Sequence, residues 1–207
     1  MSGAPEPVFT GIIEELGVVA AFDPRQSGAR LRVKCSKILP SLQEGTSIAV
    51  NGVCLTARDV SNDSFAADLA PETLSRSNLG ALQVGSRINL ERPVTPSTLL
   101  SGHLVQGHVD ARGEIVSLEP LGNGNAWLKV KAPAELDRYL VEKGSVALDG
   151  ISLTIAALDS GPVISVALVP HTVENTTLGS SRPGGRVNIE VDVLAKYVEK
   201  LVHAGPA

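Results

Sequence analysis

Two short segments of the chain, NGVCLTA (51–57) and DGISLTI (149–155), carry residues with clear chemical potential. In each segment a residue with a reactive or hydrogen-bonding side chain, Cys54 or Ser152, lies two positions before a threonine. Residues two positions apart on a strand share one face, so each pair would point to the same place. A thiolate can add to an electron-poor ring carbon, and hydroxyls can hold a ligand and assist proton removal. The alternative is an inert buried thiol and hydroxyls that face solvent.

His108, within VQGHVD, is the best candidate for general acid–base chemistry, because the pKa of histidine lies near neutrality. The alternative is a surface or structural histidine. His103 is interpreted as a residue of a linker. The spacing of these two histidines does not fit a helical zinc pair and the chain has no Cys-x-x-Cys, so we expect no metal site. The two cysteines, Cys35 and Cys54, are expected to be reduced.

The chain contains an internal repeat. Three blocks occur twice in the same order, and the offset between the copies changes only from 96 to 99 residues. His108 takes the position of Ile12 in this frame, which indicates a division of labour between the two halves. The sequence therefore predicts a duplicated domain. The paired blocks are 9–19 with 105–116, 36–56 with 132–154, and 71–91 with 170–190.

Short runs rich in Val, Ile and Leu, separated by 20 Gly and 13 Pro, predict strands joined by tight turns. The Asn-Gly and Asp-Gly pairs that contain Gly52 and Gly150 predict hairpin turns. About six strands in each half suit a small closed barrel, which leaves no exposed sheet edge. The predicted strands are 9–20, 29–35, 46–51, 53–60, 64–70 and 86–92, then 104–117, 126–131, 145–149, 151–158, 163–169 and 185–191. The predicted helical segments are 36–43, 72–77, 133–141 and 171–176.

The domain boundaries follow from the repeat. Residues 1–8 are an N-terminal extension, residues 9–95 the N-terminal barrel and residues 103–191 the C-terminal barrel. RPVTPSTLLSG (92–102) is the predicted linker, because its prolines and hydroxyl residues fit an extended connection.

Residues 192–205 are predicted to form an amphipathic helix. Asp192 is placed to cap its start, and Gly205-Pro206 to end it. A narrow apolar seam suits either packing on the chain's own barrel or association with a second helix. The seam is formed by Val191, Leu194, Val198 and Leu201.

Composition excludes several classes of function. The net charge of −4, without a basic block, gives nucleic acid no electrostatic support, and 3% aromatic residues offer few stacking platforms. No apolar run approaches the length of a membrane span. The first residues, MSGAPEPV, lack the features of a signal peptide. We therefore expect a cytoplasmic protein.

Five motifs together, FTGIIEELG, NGVCLT, GHLVQGHVD, DGISLT and PHTVENTTLG, resemble the riboflavin synthase family of the trimeric, two-barrel type. The resemblance covers residues 8–202 and includes the duplication. It implies a mainly β fold of two tandem homologous six-stranded Greek-key β-barrels with a C-terminal trimerisation helix. The implied reaction is a dismutation, in which two molecules of 6,7-dimethyl-8-ribityllumazine give riboflavin and 5-amino-6-(D-ribitylamino)uracil by transfer of a four-carbon unit. The family uses no metal and no organic cofactor.

The resemblance also implies the partners and the site. The active site would lie between the N-terminal barrel of one subunit and the C-terminal barrel of a neighbour in a homotrimer, and association with lumazine synthase is a further implied contact. The implied catalytic residues are Cys54, His108, Ser152, Thr154 and Ser47. The implied substrate-binding residues are Phe9, Thr10, Gly11, Ile12, Ile13, Cys54, Leu55, Thr56, Asp68, Leu69, Ala70, Pro71, Glu72, Thr73, Gly107, His108, Val109, Lys143, Ser152, Leu153, Thr154, Val169, Pro170, His171, Thr172, Val173, Glu174 and Asp192.

Some of these residues have stated roles and alternatives. Glu72, Thr73 and Thr172 would bind the hydroxyls of a ribityl chain. Lys143 would reach a ligand across the subunit boundary, or else be a solvated lysine before a turn. Asp192 resembles a site carboxylate of the family but also fits a helix cap. The family usually begins at the Phe-Thr-Gly of residues 9–11, so the eight residues before it would have to bend away from the cleft.

Two other functions compete with this interpretation. A lumazine protein uses the same two-barrel fold as a non-catalytic carrier of a lumazine or flavin, and would have lost the polar set of one barrel. An unrelated pair of β-barrel binding modules would not show five motifs in order. The sequence does not decide which barrel holds the donor or which group removes the 7-methyl proton.

Overall fold

The structure, a computed structural model, describes residues 7–203. Residues 1–6 of the predicted extension and the predicted Gly205-Pro206 helix end lie outside the described residues. The strands of the N-terminal half are β1 (Glu15–Arg25), β2 (Gly28–Lys34), β3 (Ser47–Val50), β4 (Val53–Thr56), β5 (Ser64–Leu69) and β6 (Arg87–Glu91). They form an antiparallel sheet in the order β4-β3-β6-β1-β2-β5, whose outermost strands contact each other.

The strands of the C-terminal half are β7 (Ala111–Gly122), β8 (Asn125–Lys131), β9 (Ser145–Leu148), β10 (Ile151–Thr154), β11 (Ala157–Asp159), β12 (Val163–Leu168) and β13 (Arg186–Val191). Their order, β10-β9-β13-β7-β8-β12-β11, repeats that of the first half with β11 added at one edge. The counterpart of β11 in the first half is a single bridge between Arg58 and Ala66. The prediction of a mainly β fold with two tandem barrels is confirmed.

Alternation of apolar and polar residues explains why these segments are strands. In β2 the side chains of Ala29, Leu31 and Val33 are buried, and those between them face outward. β8 repeats the pattern with Ala126 and Leu128. Each sheet curls around its own apolar cluster, so the chain has one core per half.

Short helices connect the strands. α1 (Pro71–Arg76) and α2 (Pro170–Asn175) each begin with a proline, whose fixed φ and missing N–H suit a first turn. 3-10 helices cover Leu39–Ser41, Asn78–Ala81, Ala134–Tyr139 and Thr177–Ser180. α3 (Val193–His203) follows β13, and the carboxylate of Asp192 accepts a hydrogen bond from the N–H of Leu194, as a helix cap does.

The first strand of each half begins later than predicted. β1 and β7 begin at Glu15 and Ala111, not at 9 and 104. Gly11 and Gly107, both at φ 78°, turn the chain away from its own sheet, and the segments 9–13 and 105–109, here termed the crossing segments, run over to the other half. The two segments pair once with each other through reciprocal backbone hydrogen bonds of Phe9 and Val105.

The two predicted hairpin glycines also join the halves. A Cβ on Gly52 would lie 2.5 Å from the backbone N of Gly150, and one on Gly150 would lie 2.7 Å from the N of Gly52. Both residues have a φ above 70°, which side chains other than glycine rarely adopt. Glycine is therefore required at each turn for its conformation and for the close approach of the other turn.

Candidate functional site

Cys54 and Thr56 lie on one face of β4, the face that points away from the barrel core. Ser47 pairs with Thr56 across β3 and β4, and Ala49 pairs with Cys54. Cross-strand pairs of this kind bring their side chains within about 5 Å of each other. The structure therefore brings Ser47, Cys54 and Thr56 together on one outer surface of the N-terminal barrel.

The C-terminal crossing segment covers this surface. The backbone N–H of Cys54 donates to the carbonyl oxygen of Gly107 at 2.9 Å, and a Cβ on Gly107 would lie 2.6 Å from the Cβ of Cys54. Only glycine fits such an approach. His108, the next residue, is thereby placed beside the N-terminal barrel and not beside the barrel in whose sequence it occurs.

A cavity of about 510 Å³ opens where the crossing segment meets α1. We term it the N-terminal pocket. Its volume lies in the usual range for small-molecule sites. Predicted site residues from both halves of the chain line it together, namely Cys54, Glu72, Thr73, Gly107, His108 and Val109.

The C-terminal half repeats the arrangement with the roles exchanged. The backbone N–H of Ser152 donates to the carbonyl oxygen of Gly11 at 2.8 Å, and a Cβ on Gly11 would lie 2.6 Å from the Cβ of Ser152. Ile12 is thus the counterpart of His108. Ser152 is half-buried and Thr154 exposed on the outer face of β10. We term the surface formed by β10 and residues 10–12 the C-terminal site.

Two buried carboxylates hold the crossing segments in place. Glu91 accepts the N–H groups of Thr10 and Gly11 at 2.7 and 3.0 Å. Glu190 accepts those of Gln106 and Gly107 at 2.6 and 3.0 Å. Burial raises the pKa of each glutamate to about 7, against the hydrogen bonds that favour the ionised form. Sequence reasoning missed both residues, although the glutamate recurs at the end of the third repeated block.

His103 is the third residue that sequence reasoning missed. Its ring is 8% exposed, and its Nδ1 lies 2.7 Å from the Oγ of Ser152. Burial lowers the pKa of His103 below its usual value, while the nearby charge of Asp192 raises it. Its Nε2 is buried without a hydrogen-bond partner among the described residues. The neutral ring can therefore accept the hydroxyl proton of Ser152 at Nδ1.

The interpretation of His103 as a linker residue is wrong, because the backbone N–H of His103 donates to the carbonyl oxygen of Thr10 and fixes it within the site. The internal repeat could not reveal that His103 lies beside Ser152. The corresponding position of the first half is Pro7, which offers no functional counterpart.

Several predicted binding residues use their side chains for packing. Leu55 and Leu69 are buried in the N-terminal core, Ile13 and Leu153 pack against the C-terminal core, and Phe9 is fully buried between the halves. The buried residues Leu55, Leu69 and Phe9 can offer a ligand only their main-chain groups, whereas Ile13 and Leu153 are half-buried.

The remaining predicted residues lie in three surroundings. Asp68 pairs with Arg25 and Arg30 on the barrel surface, which competes with a ligand for its carboxylate. Lys143 donates to the carbonyl oxygen of Ala156 at 3.1 Å. The others lie at the starts of α1 and α2. Pro170, Thr172 and Val173 are half-buried there. The exposed residues are Ala70, Pro71, Val169, His171 and Glu174.

A second cavity, of about 530 Å³, lies between β3 and the linker. It brings together Thr10, Ile12 and Ser47, three residues that were predicted to bind substrate or to act in catalysis. The ion pair between Glu14 and Arg92 forms part of its wall. Ser47 therefore lines this cavity and also lies beside Thr56, its cross-strand neighbour.

The remaining cysteine, Cys35, is buried in the N-terminal core. Burial raises the pKa of its thiol to about 12, so it stays protonated at neutral pH. Within residues 7–203 no helix is both long and apolar enough to cross a membrane.

Comparison with known proteins identifies this architecture. The family model described as the lumazine binding domain matches residues 10–93 and 106–192, so the fold is that of a protein with two lumazine-binding domains. Solved structures of LumP in complex with 6,7-dimethyl-8-(1'-D-ribityl) lumazine and with riboflavin share the fold at TM-scores of 0.80 and 0.81. They are 23% and 24% identical to the chain and cover 88% of it and 98% of their own length.

The curated relatives are more similar in sequence. The riboflavin synthase of Mycobacterium bovis is 50% identical over 200 residues, which are 95% of this chain and 99% of that protein. Those of Actinobacillus pleuropneumoniae and Bacillus subtilis are 42% and 40% identical, covering 97% and 95% of this chain and 92% and 90% of their own. The chain therefore belongs to the lumazine-binding family that contains these riboflavin synthases.

Proposed function

We propose that the chain catalyses the riboflavin synthase reaction. Two molecules of 6,7-dimethyl-8-ribityllumazine exchange a four-carbon unit, one becoming riboflavin and the other 5-amino-6-(D-ribitylamino)uracil. The transfer is a dismutation: the donor loses the four-carbon unit and becomes the uracil, and the acceptor gains that unit and becomes riboflavin.

One observation carries the proposal: a single chain holds two equivalent sites. In each, a thiol or hydroxyl lies on an outer strand two residues before a threonine, beside a glycine of the crossing segment from the other half. A reaction between two copies of one substrate needs two similar binding sites and different reacting groups. Cys54 opposite Ser152, and His108 opposite Ile12, supply the difference.

The 7-methyl group of the lumazine is acidic, because its carbanion spreads into the pteridine ring. The enzyme therefore needs to position the substrates more than it needs a strong base. In this proposal the Ser152 oxygen accepts the methyl proton in the C-terminal site while its own hydroxyl proton passes to Nδ1 of neutral His103. His108 acts as the general acid–base group in the N-terminal pocket, where Cys54 contacts the second ring.

The test is to incubate the purified protein with 6,7-dimethyl-8-ribityllumazine and to separate the products by chromatography. We expect one riboflavin and one pyrimidinedione for every two lumazines consumed. Tight binding of a lumazine that is returned unchanged would contradict the proposal and indicate the carrier function of a lumazine protein. Binding of neither lumazine nor riboflavin would contradict both.

We further propose that the protein is a homotrimer assembled through α3. Leu194, Val198 and Leu201, the outer part of the predicted seam, are 59%, 59% and 74% exposed, and Tyr197 and Val202 extend the apolar surface. A helix with an unpartnered apolar face favours association. This exposure supports association over the alternative, packing of the seam on the chain's own barrel, for which only Val191 is buried.

The oligomeric state can be measured by analytical ultracentrifugation. We expect a trimer for the wild type and a monomer for Val198→Glu, whereas Val84→Glu, a change at another exposed valine, leaves the trimer intact. A monomeric wild type, or equal effects of the two changes, would contradict the trimer. The sharing of a site between subunits through Lys143, the association with lumazine synthase and the cytoplasmic location stay predictions.

A further inference from the structure

A cleft lined by arginines adjoins the N-terminal pocket. Its volume is about 460 Å³, and Ser75, Arg76, Asp110, Ala111, Arg112 and Arg186 line it. Arg76 and Asp110 also line the N-terminal pocket, so the two spaces share a wall. Along α1, Glu72 and Thr73 face the pocket, and Arg76 lies one turn further on. The cleft thus lies past the end of the pocket that was predicted to hold the ribityl chain.

The cleft carries exchangeable positive charge. Arg76 pairs with Glu72, and Arg186 with Glu114, in exposed ion pairs. Exposed pairs contribute little stability and are easily exchanged for a better partner. The side chain of Arg112 makes no ion pair or hydrogen bond within residues 7–203. The carboxylate of Asp110 is already bound by the ammonium of Lys196 and the backbone N–H of Val191.

The repeat provides an internal comparison. The positions equivalent to Arg76 and Arg112 in the repeat are Asn175 and Leu16. Of the three arginines only Arg186 has a basic counterpart, which is Arg87. The concentration of arginine is therefore a property of the N-terminal pocket alone and does not follow from the fold.

We propose that this arginine cleft binds a phosphate monoester at the end of a ribityl chain, so that the N-terminal pocket accepts 5′-phosphorylated flavins or lumazines. The inference rests on the proposed function, which places a ribityl ligand in that pocket. Guanidinium groups bind phosphate through paired, charge-assisted hydrogen bonds. A dianionic phosphate would replace Glu72 and Glu114 as the partner of the arginines and supply one for Arg112.

The experiment compares riboflavin with flavin mononucleotide, which differ only in the phosphate. Both are titrated into the full-length protein by flavin fluorescence at low ionic strength. We expect flavin mononucleotide to bind about tenfold more tightly, the effect of one net charge-assisted hydrogen bond. Arg112→Ala and Arg186→Ala should remove this preference and leave riboflavin affinity unchanged. Arg87→Ala, the matched change in the other half, should keep it.

Inorganic phosphate separates a site for the phosphorylated ligand from a site for the free ion. Added phosphate should weaken binding of flavin mononucleotide but not of riboflavin. Equal affinities for the two flavins in the wild type would overturn the proposal, as would equal losses from Arg87→Ala and Arg186→Ala. Failure of riboflavin itself to bind would instead contradict the proposed function, so the two failures are distinguishable.

Discussion

The N-terminal pocket and the C-terminal site share a backbone framework but differ in the side chains that could react. Both have a glycine at φ 78° laid against an outer strand, and both have a buried glutamate that holds the crossing segment. They differ where we propose that a substrate ring lies: Cys54 and exposed His108 in one, Ser152 with buried His103 in the other. The duplication has kept the parts that set backbone geometry and has changed the side chains that can do chemistry.

We expect substitutions in the shared framework to lower turnover more than substitutions of the side chains that differ. In Gly107→Ala the left-handed backbone costs about 1–2 kcal/mol, and the new Cβ would lie 2.6 Å from that of Cys54. We expect turnover to fall at least about a hundredfold, because a displacement of about 1 Å has this effect on aligned groups. Gly11→Ala should act alike through Ser152.

Gly45→Ala is the matched control, since Gly45 has φ 84° but no atom within 4 Å of an added Cβ. It should lower the free energy of unfolding, measured in urea, without lowering turnover in proportion. If all three alanine variants lose the same activity, the crossing segments do not set the sites.

Substitutions of Ser152 and of Cys54 should lower turnover by unequal amounts. Ser152→Ala removes the hydroxyl bound to His103, and we expect kcat to fall about a hundredfold with little change in KM, as for loss of a proton acceptor. Cys54→Ser makes the N-terminal pocket resemble the C-terminal site, and we expect a loss within about tenfold. Cys35→Ala should leave kcat unchanged per folded molecule. Equal losses from the first two changes would mean that the sites have no division of labour.

The pH profile tests His103. Because burial lowers the pKa of His103, its neutral form persists to a pH below the usual value for histidine, and kcat should fall only when the ring becomes protonated. Steady-state rates followed downward from pH 8 should show this acid limb below pH 6.5 in the wild type. In His103→Asn we expect a lower rate from which the limb is absent. An unchanged limb in this variant would assign it to another group.

The smallest expected effect concerns the turn that joins the halves. Asp149 is buried, its Oδ1 accepts from the N–H of Asn188 and the amide of Asn78, and burial raises its pKa from 3.8 to about 7. The folded state thus retains a proton that the unfolded chain has lost. Its contribution to the free energy of unfolding is present below pH 4 and is lost as the pH rises to about 7.

The other half has Asn51 at this position. Asp149→Asn should therefore reduce the decline in stability between pH 4 and pH 7 and increase stability at pH 8, by about 1 kcal/mol or more. Urea unfolding across this range measures it. A variant whose decline equals that of the wild type would show that Asp149 is ionised without cost, and Glu91 and Glu190 would then carry the remaining pH dependence.

The sequence predicted the architecture well because the repeat and the strand periodicity can both be seen in the order of residue types alone. The barrels, the helical segments predicted at 72–77 and 171–176 and the cap at Asp192 follow from residue types at short spacing. The predicted Asn-Gly turn sets the register that pairs Ser47 with Thr56. These features need no knowledge of distant contacts.

The crossing of the two segments could not be predicted in this way. Residues 9–13 alternate like the start of a strand, and only the contacts of Gly11 with Ser152 and of Glu91 with Thr10 show that they leave the sheet. His103 was missed for the related reason that its partner, Ser152, is distant in sequence and no copy of it exists in the first half. The arginine cleft likewise combines α1 with the starts of β7 and β13.

The exchange of crossing segments also determines when each site can form during synthesis of the chain. A chain synthesised from its N-terminus has Cys54 in place before Gly107 exists, and Gly11 must wait for Ser152 until the second barrel is nearly complete. Contacts between residues so far apart in sequence form late and slow the folding of β proteins. Each barrel can gather its core during synthesis, but neither site exists on a nascent chain until the other half has emerged. A chain that ends before the second half would therefore lack residues of both sites, rather than retain half of the enzyme's activity.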